Sequence, residues 1–159
     1  MAGVGKSTVG KILAEKIQFE FVDLDLIISD QENSSIQSLI DRIGDDGFLE
    51  LEEKTMLTLD IQDKVIAPGG SLVYCKKAME KLREESLIIY LKDTFKNIEV
   101  RLRNAETRGI VEFKTLSLKE IFEKRHLLYE KYAHLTVNCG SHNWDEISNT
   151  ILTELETIS

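Results

Sequence analysis

The amino-acid sequence predicts an α/β fold in which a parallel sheet lies between layers of helices. Short runs rich in β-branched and aromatic residues alternate with longer amphipathic segments, which is the pattern of strands connected by helices. Each short run is followed by turn residues and then by a helical pattern. The 159-residue chain has the length of one domain with its own core, so we predict a single domain over residues 1–159.

The positions of the predicted elements follow from these patterns. We expect four strands, at residues 19–23, 64–67, 87–91 and 135–138. We expect helices at residues 6–17, 35–43, 48–61, 76–85, 94–103, 118–133 and 144–157. Ser117 stands three residues before Glu120, which predicts a capping box at the start of one of these helices. Residues 104–117 lack a strong period and are predicted to form a mobile loop.

Composition and charge restrict the classes of partner. The chain is 42% hydrophobic and 30% charged, as in a soluble globule, and its formal net charge of -8 disfavours nucleic acids and anionic membranes as partners. No apolar run approaches the roughly 20 residues of a membrane span. Cys75 and Cys139 match no metal spacing and are expected to remain thiols. We therefore expect a cytoplasmic protein, monomeric, that acts on a small molecule.

Residues 3–8, with the letters GVGKST, match the end of a phosphate-binding loop of the form G-x-x-x-x-G-K-[ST]. Its glycines allow consecutive backbone N–H groups to surround phosphates, and the following helix points its N-terminus at the anion. Lys6 is expected to neutralise the β- and γ-phosphates, and the Ser7 hydroxyl to complete an oxygen shell around Mg²⁺. The sequence thus predicts ATP with Mg²⁺, held by Gly3, Gly5, Lys6, Ser7 and Thr8. The alternative is a glycine turn that precedes a helix and binds no ligand.

The phosphate-binding motif is incomplete in this sequence. Counting back from Gly5, its first glycine falls one residue before Met1, and no strand precedes the loop. Omitting that strand leaves the edges of neighbouring strands unpaired inside the protein. We therefore expect the chain to be truncated ahead of Met1, with five parallel strands in the intact protein.

Two carboxylates, Asp23 and Asp25, stand at the carboxyl end of the first predicted strand, where doubly wound sheets bind their ligands. Their spacing directs both side chains to the same side of a strand. Asp23 is expected to hold Mg²⁺ through water, and Asp25 to orient or deprotonate an accepting hydroxyl. The alternative is a solvated strand end that carries two acids.

A third feature is the turn Pro68-Gly69-Gly70-Ser71 after the second predicted strand. Successive glycines at a strand end permit a ligand to approach the backbone closely. Pro-Gly is equally a standard β-turn signal, so the segment alone leaves both interpretations open.

Taken together, these residues resemble the shikimate kinase family over nearly the whole chain. The family pattern is a GKST loop, a D-x-D strand end, an F-R-x-x-E helix, a G-G-G turn, an Arg-Pro lid and an R-x-P-L-Y helix. The corresponding segments here are residues 5–8, 23–25, 48–52, 69–71, 108–109 and 125–129. The resemblance implies a three-layer P-loop kinase fold, with an acceptor-binding region at about 24–60 and a lid at about 104–117. It also implies transfer of a phosphoryl group from ATP to shikimate.

The resemblance also implies roles for individual residues. Asp25, Gly69, Gly70 and Arg125 would line the acceptor site. Arg108 in the lid would reach both phosphate and acceptor, and a closed lid excludes water that would otherwise hydrolyse ATP. Arg101 would lie beside the adenine ring. Lys6, Asp25 and Arg108 are thus the predicted catalytic residues.

Among the departures from the family pattern, Leu49 replaces the arginine, Ser71 the third glycine and Gly109 the proline after the lid arginine. The family's arginine grips the carboxylate of shikimate, and leucine cannot form that bidentate pair. Arg42 is a candidate substitute, with a solvated helix charge as the alternative. Two further functions stay open: a kinase of another small hydroxyl metabolite, and a non-catalytic nucleotide-binding relative.

Overall fold

The computed structural model describes residues 1–103, 109–140 and 143–158. In chain order the elements are α1 (Lys6–Ile17), β1 (Glu20–Asp23), α2 (Leu24–Glu32), α3 (Ile36–Thr58), β2 (Lys64–Ala67), a 3₁₀ turn (Leu72–Tyr74), α4 (Lys76–Glu85), β3 (Ile89–Lys92), α5 (Phe95–Leu102), α6 (Leu118–Tyr132), β4 (Leu135–Asn138) and α7 (Trp144–Ile158). Helices and parallel strands alternate, which confirms the predicted α/β fold.

Helix α2 is the main element that the sequence patterns do not predict. It begins directly at the end of β1, because Asp23 is both the last strand residue and the N-cap. Its Oδ1 accepts hydrogen bonds from the backbone N–H groups of Asp25 and Leu26, at 3.1 and 3.3 Å. The tight junction places Asp25 in the first turn of a helix and not on a strand.

Helix α3 combines the two helices expected at 35–43 and 48–61. Gly44, with φ of 75°, lies inside it in a left-handed conformation and divides it into two arms. Helix α6 begins as predicted, because Ser117 and Glu120 form the reciprocal hydrogen bonds of a capping box.

The strands lie between two layers of helices. Val65 packs against the core cluster that includes residues of α1 and α7, whereas Ile66 packs against the cluster that includes α3 and α4. Successive side chains of a strand point to opposite faces, so the alternation defines three layers.

The strands form two separate parallel pairs in the described part of the chain. Strand β1 pairs with β2, and β3 pairs with β4. The remaining edges of β2 and β3 both border a largely apolar cavity of about 520 Å³, lined among others by Val9, Leu13, Ile66, Leu91 and Ile151. We call this cavity the strand slot.

Met1 lies at the strand slot and is 5% exposed. Burial holds the pKa of its amino group well below the ordinary value, and the positive charges of Lys6 and Arg125 lower it further. Among the described residues, no helix combines the length and hydropathy needed to cross a membrane.

Candidate active site

The glycine loop has the backbone conformation that a phosphate cradle requires. Gly3 and Gly5 have φ of 75° and 98°, in the left-handed region that favours glycine. Gly5 is also the N-cap of α1, whose first turn contains no acidic residue. A Cβ on Gly5 would lie 2.7 Å from the ring of Trp144, so the loop is packed as well as bent. The backbone N–H groups at this helix start fit an anion.

Two cationic side chains fasten the loop. Lys6 Nζ donates to the carbonyl of Met1 at 2.9 Å, and Arg101 Nη1 donates to the carbonyl of Gly3 at 2.9 Å. The other end of the Arg101 guanidinium forms a 2.6 Å ion pair with Asp93, whose side chain is completely buried. Burial raises the pKa of Asp93, but hydrogen bonds from Asn97, from a backbone N–H and from Arg101 hold it below its ordinary value overall. Asp93 therefore remains charged and fixes Arg101 at the loop.

The two predicted magnesium ligands are in contact. The Ser7 hydroxyl donates to Asp23 Oδ2 at 2.8 Å, which joins the first turn of α1 to the end of β1. Among the described residues no group of three or more His, Cys, Asp and Glu side chains could hold a metal. Two oxygens together with phosphate oxygens and water match the way Mg²⁺ is usually bound. Thr8 is exposed on the same turn of α1.

Asp25 lies beside the turn that follows β2. The parallel register pairs Asp23 with Ala67, so the chain after each strand leaves the sheet at the same edge. A Cβ on Gly69 would overlap Glu52 Oε1 and lie 2.7 Å from Asp25 Oδ1. Residue 69 must therefore be glycine, because two carboxylate oxygens occupy the space that a Cβ would need.

Glu52 is a buried acid in the second arm of α3. Its Oε2 accepts a 2.7 Å hydrogen bond from Ser71 Oγ. Burial raises the pKa of Glu52 to about 7; the Ser71 bond opposes this rise, and the charge of Asp25 adds to it. Arg125 and Lys6 lower the pKa more weakly.

Arg125 is 2% exposed and lies on the other side of the glycine turn. Its Nη2 donates to the Val111 carbonyl at 3.0 Å, and its Nε donates to the Tyr74 hydroxyl at 3.3 Å. A Cβ on Gly70 would lie 2.9 Å from Arg125 Nη1, so this third nitrogen faces the turn. The Tyr129 hydroxyl donates to the Gly70 carbonyl at 2.7 Å. The structure thus brings together the predicted acceptor residues Asp25, Gly69, Gly70 and Arg125.

Part of the predicted lid packs on α3 on both sides of Gly44. The backbone N–H of Glu112 donates to Asp45 Oδ2 at 3.0 Å, and Lys114 forms a 2.7 Å ion pair with Asp41. A Cβ on Gly109 would lie 2.7 Å from the backbone nitrogen of Gln37. Arg108, the predicted catalytic arginine of the lid, lies outside the described residues.

Comparison with known proteins decides the family. The sequence model of the family described as shikimate kinase matches residues 2–156. The chain belongs to the shikimate kinase family. Membership of the shikimate kinase family makes it an ATP-dependent kinase, as the motifs predict.

Relatives and solved structures agree with this assignment. A shikimate kinase from a Sulfurihydrogenibium species is 31% identical over 155 residues, which cover 97% of this chain and 93% of the relative. A second, from Persephonella marina, is 32% identical over 151 residues, or 94% of this chain and 92% of the relative. The structure of shikimate kinase from Acinetobacter baumannii in complex with shikimate has a TM-score of 0.90 and 26% identity, with 99% of this chain and 89% of that chain covered.

Within the shikimate kinase family pattern, the structure shows what the departing residues do. Leu49, at the position of the arginine, is partly buried against the core cluster of α2, α3 and α4. Arg42 does not replace that arginine here, because it is exposed and forms a 3.4 Å ion pair with Glu32. Ser71, at the position of the third glycine, binds Glu52.

Sequence reasoning missed two residues that support this kinase site. Asp93 follows the predicted third strand, and an acid at the carboxyl end of a strand is a signal that would have drawn attention to it. Tyr129 belongs to the R-x-P-L-Y helix. Its hydrogen bond to Gly70 could not be predicted, because only the fold places α6 beside the turn. Arg101 was expected beside adenine; it contacts the glycine loop and lies 5.6 Å from the ring centroid of Trp144.

Proposed function

We propose that this kinase transfers the γ-phosphoryl group of ATP to the 3-hydroxyl of shikimate, giving ADP and shikimate 3-phosphate. The observation that carries the proposal is the convergence of Asp25 and Arg125 on the turn Gly69-Gly70. Lys6 lines the same cavity as these glycines, so the phosphate loop and the turn are adjacent. Asp25 can bind a hydroxyl group and Arg125 can bind a carboxylate, so the pair suits an acceptor that is a hydroxy acid. The Acinetobacter baumannii relative, which binds shikimate, supports this choice.

On the nucleotide side, the loop amides and Lys6 hold the phosphates. Gly3 and Gly5 supply the left-handed backbone that turns consecutive N–H groups inward. Ser7 and Asp23 would hold Mg²⁺, which supplies neutralisation of phosphate charge during transfer. Arg101 adds positive charge at the loop while its pair with Asp93 keeps it in position.

On the acceptor side, Asp25 orients the attacking hydroxyl and removes its proton. Arg125 Nη1 is the guanidinium nitrogen that faces the turn, so we expect it to meet the carboxylate of the acceptor. Gly69 and Gly70 allow the ring of the acceptor to approach the backbone. Arg108 is assigned to the closing lid by its position in the family pattern.

Leu49 favours a second candidate, phosphorylation of another small hydroxyl compound. Its side chain packs against the core and offers no charge to a carboxylate. The missing charged hydrogen bond is worth about 1.5–3 kcal/mol, or roughly one to two decades of affinity. An acceptor with a different group at that position would not suffer this loss.

The decisive experiment measures ADP release from Mg²⁺-ATP with shikimate and with gluconate, homoserine and nucleosides as competing acceptors. We expect the highest kcat/KM with shikimate, and phosphorus NMR should show an ester at the 3-hydroxyl. Asp25→Asn should lower kcat at least about 100-fold with unchanged ATP affinity, because it removes the base. Faster turnover of another acceptor would establish the second candidate. ATP binding without transfer to any acceptor would establish a non-catalytic protein.

The cellular setting is part of the same proposal. We propose a cytoplasmic monomer that uses free nucleotide and a free small molecule and binds neither nucleic acid nor membrane. The net charge of -8 supports this, because it repels polyanions and anionic lipid.

A further inference from the structure

One polar atom in the wall of the acceptor site lacks a hydrogen bond. Among the described residues, Oε1 of Glu52 is the buried side-chain oxygen for which no partner is found. The other oxygen of the carboxyl group, Oε2, accepts a hydrogen bond from Ser71. An unsatisfied buried polar atom costs about 1–3 kcal/mol, so its surroundings need an explanation.

The surroundings of Glu52 Oε1 contain a second acid. Oε1 and Asp25 Oδ1 both lie within contact distance of the Cβ position of Gly69, so the two oxygens are on the same side of that glycine. The charge of Asp25 raises the pKa of Glu52, so ionisation of both acids is disfavoured, and a proton on Glu52 would relieve the repulsion between them.

The charged and titratable groups around Glu52 come from three helices and from the residue before a fourth. Asp25 lies on α2, Arg125 on α6, Lys6 on α1, and the Cys75 thiol precedes α4. The guanidinium of Arg125 donates to Val111 and Tyr74, and neither of these hydrogen bonds involves Glu52. Leu49, one turn earlier on α3, supplies no charge. The local balance therefore favours the neutral form of Glu52, in agreement with its raised pKa of about 7.

We propose that Glu52 carries a proton in the resting enzyme and donates it from Oε1 to Asp25 Oδ1. Glu52 is then a positioning residue, because it fixes the carboxylate that orients the acceptor hydroxyl. Its catalytic consequence rests on the proposed function. Proton loss from Glu52 at high pH leaves two adjacent anions, displaces Asp25 and weakens acceptor binding.

The kinetic test is the pH dependence of acceptor kcat/KM between pH 5.5 and 9. The wild-type value should fall by roughly tenfold per pH unit above the midpoint of Glu52, mainly through KM. In Glu52→Gln the amide donates at every pH, so this fall should disappear. Glu52→Leu, which cannot donate, should have a high KM at all pH values. Glu50→Gln, an exposed acid on the same helix, is the matched control and should behave as wild type. An unaltered alkaline fall in Glu52→Gln would overturn the proposal.

A second measurement is independent of turnover. Carboxyl ¹³C NMR of protein labelled at Glu should show Glu52 titrating near pH 7, and Asp25→Asn should lower that midpoint because the neighbouring charge is removed. An unchanged midpoint in Asp25→Asn would show that the two acids do not interact. Failure of shikimate turnover with a lowered midpoint would instead refute the proposed function and leave the pair intact.

Discussion

The hydroxyl of Ser7 and the carboxylate of Asp23 are joined by a 2.8 Å hydrogen bond that ties the start of α1 to the end of β1. The other oxygen of Asp23 caps α2. One carboxylate thus fixes a helix and faces the hydroxyl that is expected to bind Mg²⁺. A substitution that keeps the cap and removes the charge separates these two roles.

Asp23→Asn is such a substitution, because asparagine caps helices about as well as aspartate. We expect the free energy of unfolding to change by less than about 1 kcal/mol. The Mg²⁺ concentration for half-maximal activity should rise about tenfold, since a neutral amide binds the cation weakly. Magnesium titration of ADP release, with urea unfolding beside it, tests both parts. An unchanged magnesium requirement would remove Asp23 from the metal site.

The buried pair of Arg101 and Asp93 predicts a large loss of stability in Arg101→Leu. Asp93 would be left charged and buried, which costs about 3–5 kcal/mol by comparison with other buried pairs. The double variant Arg101→Leu with Asp93→Asn should recover part of this loss, because the buried negative charge is removed together with its cation. Urea unfolding of the single and double variants measures the coupling. Simple additivity of the two changes would show that the pair does not stabilise the fold.

Gly69→Ala should abolish acceptor use while leaving the nucleotide site intact. The added methyl group would overlap Glu52 Oε1 and press against Asp25 Oδ1. We expect kcat/KM for the acceptor to fall at least about 100-fold, with ATP affinity within about twofold of wild type. Gly140→Ala is the matched control, since a Cβ there meets nothing within 4 Å. A parallel loss of ATP affinity would indicate that the turn supports the whole site.

The raised pKa of Glu52 predicts how stability depends on pH. The folded protein holds a proton up to about pH 7, whereas the unfolded chain releases it near the ordinary value of 4.5. The contribution of Glu52 is therefore most favourable below pH 4.5 and is lost as pH rises to 7. Relative to Glu52→Gln, the wild type should lose about 3 kcal/mol over this interval, at roughly 1.4 kcal/mol per pH unit. Urea unfolding at pH 5, 6, 7 and 8 measures the difference, and a constant difference would contradict it.

The strand slot predicts that an extended segment directly ahead of Met1 stabilises the protein. A version of the chain that carries about six β-branched residues and a glycine there would pair with β2 and β3 and fill the apolar cavity. It would also replace the buried amino group of Met1 with a peptide bond. We expect the thermal midpoint to rise by at least about 5 °C. A serine-glycine segment of equal length should give no such rise, and equal effects of both would exclude strand insertion.

Much of the fold follows from local patterns in the sequence, and the exceptions have physical causes. The four strands and most helices were predictable, because their hydrophobic periods agree with their packing. Helix α2 was not, because Asp23 ends a strand and caps a helix with no residue between them. The two helices expected at 35–43 and 48–61 are confirmed as the two arms of α3, because Gly44, with φ of 75° and ψ of 174°, has a non-helical backbone between them.

The site was predictable where a motif specifies backbone or charge, as at Gly5, Lys6 and Asp25. The role of Arg101 at the loop was not, because only the fold brings Gly3, from the other end of the sequence, to the side chain that Asp93 holds. The protonation of Glu52 depends on burial and on Asp25, which only the folded arrangement supplies. The sequence alone shows that Leu49 replaces an arginine of the site, but only the structure shows that its side chain packs against the core.

Tyr129 has a position whose consequence reaches beyond its single hydrogen bond. Its ring packs against both core clusters, and its hydroxyl donates to the carbonyl of Gly70. The acceptor turn is thereby attached where the two core clusters meet, while Val4 of the glycine loop belongs to the cluster of α1 and α7 alone. Weaker packing between the two clusters should therefore lower the affinity for the acceptor before the affinity for the nucleotide. Acceptor binding is thus sensitive to how well the whole domain is packed.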